Sequence, residues 1–214
     1  EEREDELLTK MIALQPTDPT IEICSADDFI AGFAEGLERD FEILTQLNKS
    51  WQKIEQDPKL DEFIRRLDTE LLQKEINPAQ KLVVFSESKE TTTHIVKHLK
   101  AKGRTDVLEI HSDNRDKLKQ TIRENFDANI PTVQYKNDFN IIIATEVLAE
   151  GVNLHRSNVI VNYDTPWNST RLMQRIGRVN RIGSVAPKVY IFNFYPTAKV
   201  NSDIELEKKA IMKL

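Results

Sequence analysis

One cysteine, Cys24, serves the whole 214-residue chain, so an internal disulfide and a cysteine-built zinc site are both excluded. That usage fits a reducing, cytoplasmic setting. Cys24 itself is expected to act as a small buried hydrophobe. The four histidines form no grouping with it or with one another that would suggest a metal or a nucleophilic site. No apolar run approaches the roughly 20 residues needed to span a membrane. The opening Glu1-Glu2-Arg3-Glu4-Asp5 is acidic and lacks the basic-then-apolar pattern of a signal peptide. Glycine is scarce too. Of the six, Gly151, Gly177 and Gly183 fall close together, where the backbone must turn tightly or approach a ligand closely.

What is present is unevenly charged. Residues 1–76 carry 9 Lys+Arg against 20 Asp+Glu, a net of −11, whereas residues 77–200 carry 18 against 12, a net of +6. Residues 201–214 are balanced at 3 and 3. The length suits one medium domain with an appendage, and a basic domain behind an acidic segment permits a phosphate-rich partner for the former.

Residues 1–76 read as a helical accessory segment. Leu7, Leu8, Met11 and Ile12 lie in a first helical piece, and Thr17, Pro19 and Thr20 mark its break. Ile30, Phe33, Leu37, Phe41, Leu44, Leu47, Trp51 and Ile54 then recur at steps of three and four, with Ser25 as the expected N-cap ahead of Asp27 and Asp28. After Pro58 a shorter helix carries the stripe Leu60, Phe63, Leu67 and Leu71. Asp61 and Glu62 follow no buried strand and are expected to be solvated helix charges.

From Asn77-Pro78 onward the period changes. Five short runs rich in β-branched residues begin at Lys81, Val107, Asn140, Val159 and Lys188, each the length of a strand buried on both faces. Helical stripes separate the first three, and Ser88 and Gly103 are placed to cap and stop the helix after the first. This alternation predicts an α/β domain with a mainly parallel sheet over residues 77–200, followed by a C-terminal helix over 201–214. Ligands of such sheets sit beyond the C-terminal strand ends. There the sequence collects Ser86-Glu87-Ser88, His111-Ser112-Asp113, Thr145-Glu146 and Asp164-Thr165-Pro166-Trp167.

Between the last two strands lies Gln174-Arg175-Ile176-Gly177-Arg178-Val179-Asn180-Arg181-Ile182-Gly183. As a helix opened by Asn168 or Ser169 and stopped by Gly183, it places Leu172, Ile176 and Val179 on one side and Gln174, Arg178 and Arg181 on the other. Two arginines at i, i+3 suit an anion with several oxygens, such as a polyphosphate. A lone pair of this kind more often describes a solvated basic face, and its neighbours have to decide.

Those neighbours resemble the second, C-terminal RecA-like lobe of superfamily 2 helicases and translocases. The stretch from Gln174 is similar to motif VI, Q-x-x-G-R-x-x-R-x-G, and Thr145 to Leu154 is similar to motif V, T-x-x-x-x-x-G-x-N-L. Val83-Val84-Phe85-Ser86 resembles the strand of motif IV. His111-Ser112 with Arg115 and Phe126 resembles the H-G…R…F segment, with Ser112 in place of the usual Gly. Asn153, where many helicases carry Asp, and Asn162 to Asn168 look like the Swi/Snf-type branch, closest to bacterial RNA-polymerase-associated ATPase-like proteins. The likeness covers roughly residues 78–196, with the motifs in order.

The resemblance implies a three-layer RecA-like, P-loop-NTPase-like fold. It makes Arg178 and Arg181 arginine fingers on the γ-phosphate of ATP. Gln174 would orient the nucleotide, with Glu150, Gly151 and Asn153 beside it, the last two linking it to the nucleic-acid groove. Ser86, Ser112 and Thr145 would hydrogen-bond backbone phosphates. Trp167 is expected to pack in the core or an interface, and His111 to be structural. No G-x-x-x-x-G-K-[ST] and no D-E-x-H segment occurs in the chain. ATP and Mg²⁺ would therefore be held mainly by an N-terminal RecA-like lobe of a longer polypeptide, and this piece alone should not hydrolyse ATP. The expected track is double-stranded DNA, with no membrane partner. The alternative is a non-catalytic nucleic-acid- or protein-binding module on a degenerate RecA-like fold. A different enzyme on a similar sheet would need its own nucleophile or metal cluster.

Overall fold

The computed structural model describes residues 2–14, 16–18, 20, 24–25, 28–149, 151–166 and 168–195. The C-terminal helix expected over 201–214 and the side chains of Leu7, Leu8, Asp27, Glu150 and Trp167 lie outside the described residues. The chain divides into two units, Glu1–Asp57 and Pro58–Leu214.

The first unit contains α1, Glu2–Leu14, and α2, Phe33–Trp51. α2 starts later than Ser25 would have it. Gly32, at φ 85°, sits in the left-handed region and cannot continue a right-handed helix, so it ends the preceding turn and Phe33 opens the helix. Ser25 instead donates its N–H to the Asp28 carboxylate at 2.7 Å. Cys24, expected to be buried, is exposed, since none of the described residues of this unit is buried and they offer no core to take it. The stripe of α2 is open as well: Leu37 is 54%, Phe41 72% and Trp51 76% exposed.

The second unit begins with α3, Pro58–Arg66, whose proline occupies a first-turn position that needs no N–H. Leu67–Leu71 continues it as a wider π-helical turn, and Leu60, Phe63, Leu67 and Leu71 are all buried in one core with the sheet. Sequence spacing groups this helix with the acidic segment, but its stripe packs on the strands. Buried Asn77 fastens it there, donating from its amide to the carbonyls of Leu71 (2.9 Å) and Lys81 (3.0 Å) and accepting from the Lys81 N–H (3.1 Å). Glu62 lies outside that core and is drawn down to a pKa of about 2 by hydrogen bonds from Arg65 and Arg66.

Five strands follow: β1 Leu82–Phe85, β2 Val107–Ile110, β3 Ile141–Ala144, β4 Val159–Asn162 and β5 Tyr190–Asn193. They form one sheet in the order β2-β3-β1-β4-β5, and every pairing is parallel. Between them run α4 Lys89–Ala101, α5 Arg115–Phe126 and α6 Ser169–Val179. Alternate residues of each inner strand feed two cores. Leu82, Val84, Ile141, Ile143, Val159 and Val161 face α3 and α4, while Val83, Phe85, Ile142, Ala144 and Ile160 face Ile122 and Phe126 of α5 and Val179 of α6. The result is a three-layer RecA-like α/β domain. Ser88 caps α4 by accepting from the Thr91 N–H at 3.1 Å, and Gly103 follows the helix at φ 85°. No described helix is long and apolar enough to cross a membrane.

Candidate functional site

The parallel sheet turns all its C-terminal strand ends to one side, and α6 and the loop after β3 meet there. Asn168 caps α6 by accepting from the Thr170 N–H at 2.9 Å. The helix ends at Val179, four residues before Gly183, where its end was expected. The Ser184 hydroxyl explains the early stop: it reaches the Val179 carbonyl at 2.9 Å and accepts from the Arg181 N–H at 3.1 Å, while Gly183 turns the chain at φ 93°. Arg181 therefore lies beyond the helix instead of stacking one turn below Arg178. Its guanidinium is exposed and fixed at two nitrogens, Nε on the Gly177 carbonyl at 2.9 Å and Nη1 on Asn153 Oδ1. The backbone makes the same junction, since the Leu154 N–H donates to the Arg178 carbonyl at 2.9 Å. Arg178 is half-buried and Gln174 exposed.

Gly151 opens that loop at φ 72°, and a Cβ there would stand 2.7 Å from Nη2 of Arg115. The dihedral requires the glycine, whereas the guanidinium laid against it ends a flexible side chain that could shift aside. Thr145, half-buried, donates its N–H to the Ile110 carbonyl at 3.1 Å, and exposed Ser112 donates to Asp113 at 2.9 Å. His111 is bound into its own turn through Asn114, whose Oδ1 accepts the His111 N–H at 2.9 Å.

Ser86 departs from its expected role. Its residue is fully buried, and its hydroxyl donates to Asp164 at 2.5 Å, so it is committed inside the lobe and not open to a phosphate. Asp164 also accepts from Lys59 (2.7 Å) and the Glu87 N–H (3.1 Å). Burial works to raise its pKa, but the hydrogen bonds from Lys59 and Ser86 outweigh it and hold the carboxyl below its ordinary value.

Arg175 carries no surface signal and is the largest fully buried side chain among the described residues. Its Nη1 donates to Asn162 Oδ1 (2.7 Å) and the Asp164 carbonyl (3.0 Å), Nη2 pairs with Glu146, and its guanidinium lies 5.1 Å over the Phe85 ring. One cation thus ties α6 to β1, β4 and the short helical turn Glu146–Ala149. Helical spacing does contain the clue, because Leu172, Arg175, Ile176 and Val179 fall at i, i+3, i+4 and i+7, which puts the arginine on the apolar side.

His155, four residues before the first residue of β4 and fully buried, has no hydrogen-bond partner at either ring nitrogen. Burial lowers its pKa, against the opposing pull of Asp127, whose carboxylate stands 3.7 Å away. Among the described residues no group of three or more His, Cys, Asp or Glu could hold a metal ion. The donors gathered around Asn153 and the end of α6 are guanidinium and amide groups, which fit phosphate oxygens and do not fit a cation.

A family model described as the helicase conserved C-terminal domain matches residues 62–183. The chain is 46% identical over 59 residues to an uncharacterized ATP-dependent helicase, YqhH, of Bacillus subtilis, covering 28% of this chain and 10% of that protein. It is 30% identical over 135 residues to the ATP-dependent RNA helicase DBP2 of Candida glabrata, covering 63% and 22%. The chain therefore spans less than a quarter of the length of these curated relatives. Its fold is similar to that of the C-terminal part of the Fun30 ATPase domain, with a TM-score of 0.55 at 19% identity over 72% of this chain and 45% of that one.

Proposed function

The chain belongs to the helicase conserved C-terminal domain family, and we propose that it is the second motor lobe of an ATP-dependent translocase of the Swi/Snf type that moves along duplex DNA. The observation that carries this reading is the junction of Arg178 and Arg181 with Asn153 and Leu154, which joins the end of α6 to the loop between β3 and β4. A motor lobe needs such a coupling, because force has to pass between a triphosphate and a track.

ATP and Mg²⁺ would be held mainly by a first RecA-like lobe, the partner of this one, and ATP supplies the phosphoryl transfer that drives the motor. The residues of this chain would act around it. Arg178 and Arg181 reach the γ-phosphate, where a planar guanidinium meets two oxygens at once and stabilises developing charge, an effect worth on the order of 10³–10⁵ in rate. Gln174 orients the nucleotide, with Glu150 and Gly151 beside it. Ser112 and Thr145, at the ends of β2 and β3, contact backbone phosphates of the track, which positions the strand without reading its sequence. Asn153 and the run from Asn162 to Asn168 support the Swi/Snf branch, whereas the similarity to DBP2 favours an RNA track.

The test is made on the complete protein. Arg178→Ala and Arg181→Ala should each abolish nucleic-acid-stimulated ATPase while leaving nucleic-acid binding intact, and residues 1–214 alone should show no turnover. Loss of binding in step with turnover would assign the arginines to the track instead. Stimulation by duplex DNA over single-stranded RNA supports translocation on DNA, and the reverse preference overturns it.

A further inference from the structure

Asp127 follows α5 with an extended backbone (ψ 125°), one residue past Phe126, with which the H-G…R…F segment closes. It is 8% exposed and its two carboxylate oxygens have separate tasks. Oδ1 accepts the Asn129 N–H at 2.8 Å, which closes a local turn and fixes the carboxylate's direction. Oδ2 accepts from Nδ2 of Asn153 at 3.2 Å. Asn153 passes the contact on, since its Oδ1 accepts from Nη1 of Arg181.

The order of this chain is chemically forced. A carboxylate only accepts and a guanidinium only donates, so the residue between them must donate on one side and accept on the other. A primary amide does this in a single orientation. Aspartate at 153 could still receive Arg181, but it would face Asp127 across hydrogen-bond distance with no proton to share. Asn153 and Asp127 are therefore a matched pair.

We infer that Asp127 is a positioning residue of this lobe: it fixes the orientation of the Asn153 amide, and through it the direction in which Arg181 presents its guanidinium. The inference rests on the reading of Arg181 as a nucleotide-facing residue. Asp127 touches no substrate itself. It acts by selecting one of the amide's two flips, and a flipped amide would aim N–H groups at Arg181 and push the guanidinium away. The cavity of about 80 Å³ lined by Asp127, Gly151, Asn153, Lys119 and Arg123 leaves the pair accessible to solvent from one side. Without the carboxylate, therefore, water can satisfy either flip, and the orientation is lost without a collapse of the fold.

The experiment is a charge exchange in the complete protein, read as nucleic-acid-stimulated kcat and KM for ATP. Asn153→Asp should lower kcat on the order of tenfold or more by setting two carboxylates together. Asp127→Asn should lower it less. The double exchange Asp127→Asn with Asn153→Asp reverses the hydrogen bond between positions 127 and 153 but again leaves every donor facing an acceptor, amide to carboxylate to guanidinium, and should return kcat to within about threefold of the parent. A merely structural role for either residue predicts that the two losses multiply. The inference is overturned if the double exchange is no better than Asn153→Asp, or if Asp127→Asn matches the parent. Arg181→Ala is run alongside: retained turnover there sinks the reading of Arg181, whatever the exchange shows. Where a single variant fails to fold, the double exchange alone decides: kcat within about threefold of the parent supports the inference, and a loss of about tenfold or more in the folded double variant overturns it.

Discussion

Replacing Arg175 with methionine tests whether α6 is held by one buried cation. The substitution keeps most of the aliphatic stem over Phe85 and removes the guanidinium, along with hydrogen bonds to Asn162 (2.7 Å) and the Asp164 carbonyl (3.0 Å) and the pair with Glu146. Breaking a buried ion pair from one side costs about 3–5 kcal/mol, chiefly because the remaining charge is stranded. Here the stranded charge has relief, since the Glu146 side chain is 27% exposed and water can reach it. Asn162 and the Asp164 carbonyl are the groups left short, at about 1–3 kcal/mol for a buried acceptor without a donor. The loss should therefore sit near the lower bound, about 3 kcal/mol. Urea denaturation of the 214-residue chain, followed by far-UV circular dichroism, reads it. With a slope of about 2 kcal/mol per M, the midpoint of the Pro58–Leu214 unit should fall by about 1.5 M. Arg175→Lys should recover less than half, because one ammonium cannot reach three acceptors spread along a planar fork. Adding Glu146→Leu to Arg175→Met should cost less than the two single losses together, since the stranded carboxylate is then gone. A midpoint shift below about 0.3 M for Arg175→Met would refute the reasoning and leave apolar contacts as the clamp on α6.

Lys81 sets a pH dependence. It is 1% exposed, donates to the Phe139 carbonyl at 2.9 Å and lies 4.8 Å from the Phe126 ring centre, and burial pushes its pKa down from 10.5 to about 8. Between those values the unfolded chain holds a proton that the native chain has released, so stability should rise as pH climbs from 8 to 10.5 and stay level below 8. The ceiling is about 3 kcal/mol, nearer 2 after solvent screening, and the difference in urea midpoint between the parent and Lys81→Met across that window isolates it from other titrating groups. Gly151→Ala should cost about 1–2 kcal/mol from its left-handed dihedral alone. Combining it with Arg115→Ala removes the clash at Nη2 but not the dihedral cost, so a penalty that disappears in the Arg115→Ala background would show that contact, not backbone, makes the glycine necessary.

How far the sequence carries depends on what each residue's neighbours do. The strands are legible because Leu82–Phe85, Ile141–Ala144 and Val159–Asn162 are apolar almost throughout, a pattern only a strand covered on both faces requires. The cap at Ser88 is legible because it uses contacts within three residues. Ser86 is not, since a serine at a strand end reads the same whether it faces solvent or an aspartate 78 positions away. The Asp127–Asn153–Arg181 chain is hidden for the same reason, as it joins three loops that only the sheet brings together. Spacing alone leaves the neighbours of α3 open, because an amphipathic pattern says that a helix has an apolar face and never what covers it.

Arg175 and Arg181 divide the work that one arginine-rich helix offers in the sequence. A buried arginine with three acceptors cannot leave its place without stranding them, whereas an exposed one held by a carbonyl and an amide loses little when water or phosphate oxygens replace those partners. The first therefore fixes α6 against β1 and β4, and the second stays at the surface, aimed by the Gly177 carbonyl and the Asn153 amide. That division explains why α6 ends at Val179. Were the helix to run on to Gly183, Arg181 would be bound to the helix axis one turn below Arg178, and the Asn153 amide would have no guanidinium to receive. Extending α6 by Ser184→Ala, which removes the hydroxyl that closes the turn, should accordingly disturb Arg181 before it disturbs the fold. ATPase lost at an unchanged unfolding midpoint is the signature expected; a midpoint that falls while turnover per folded molecule holds would place the turn in the scaffold instead.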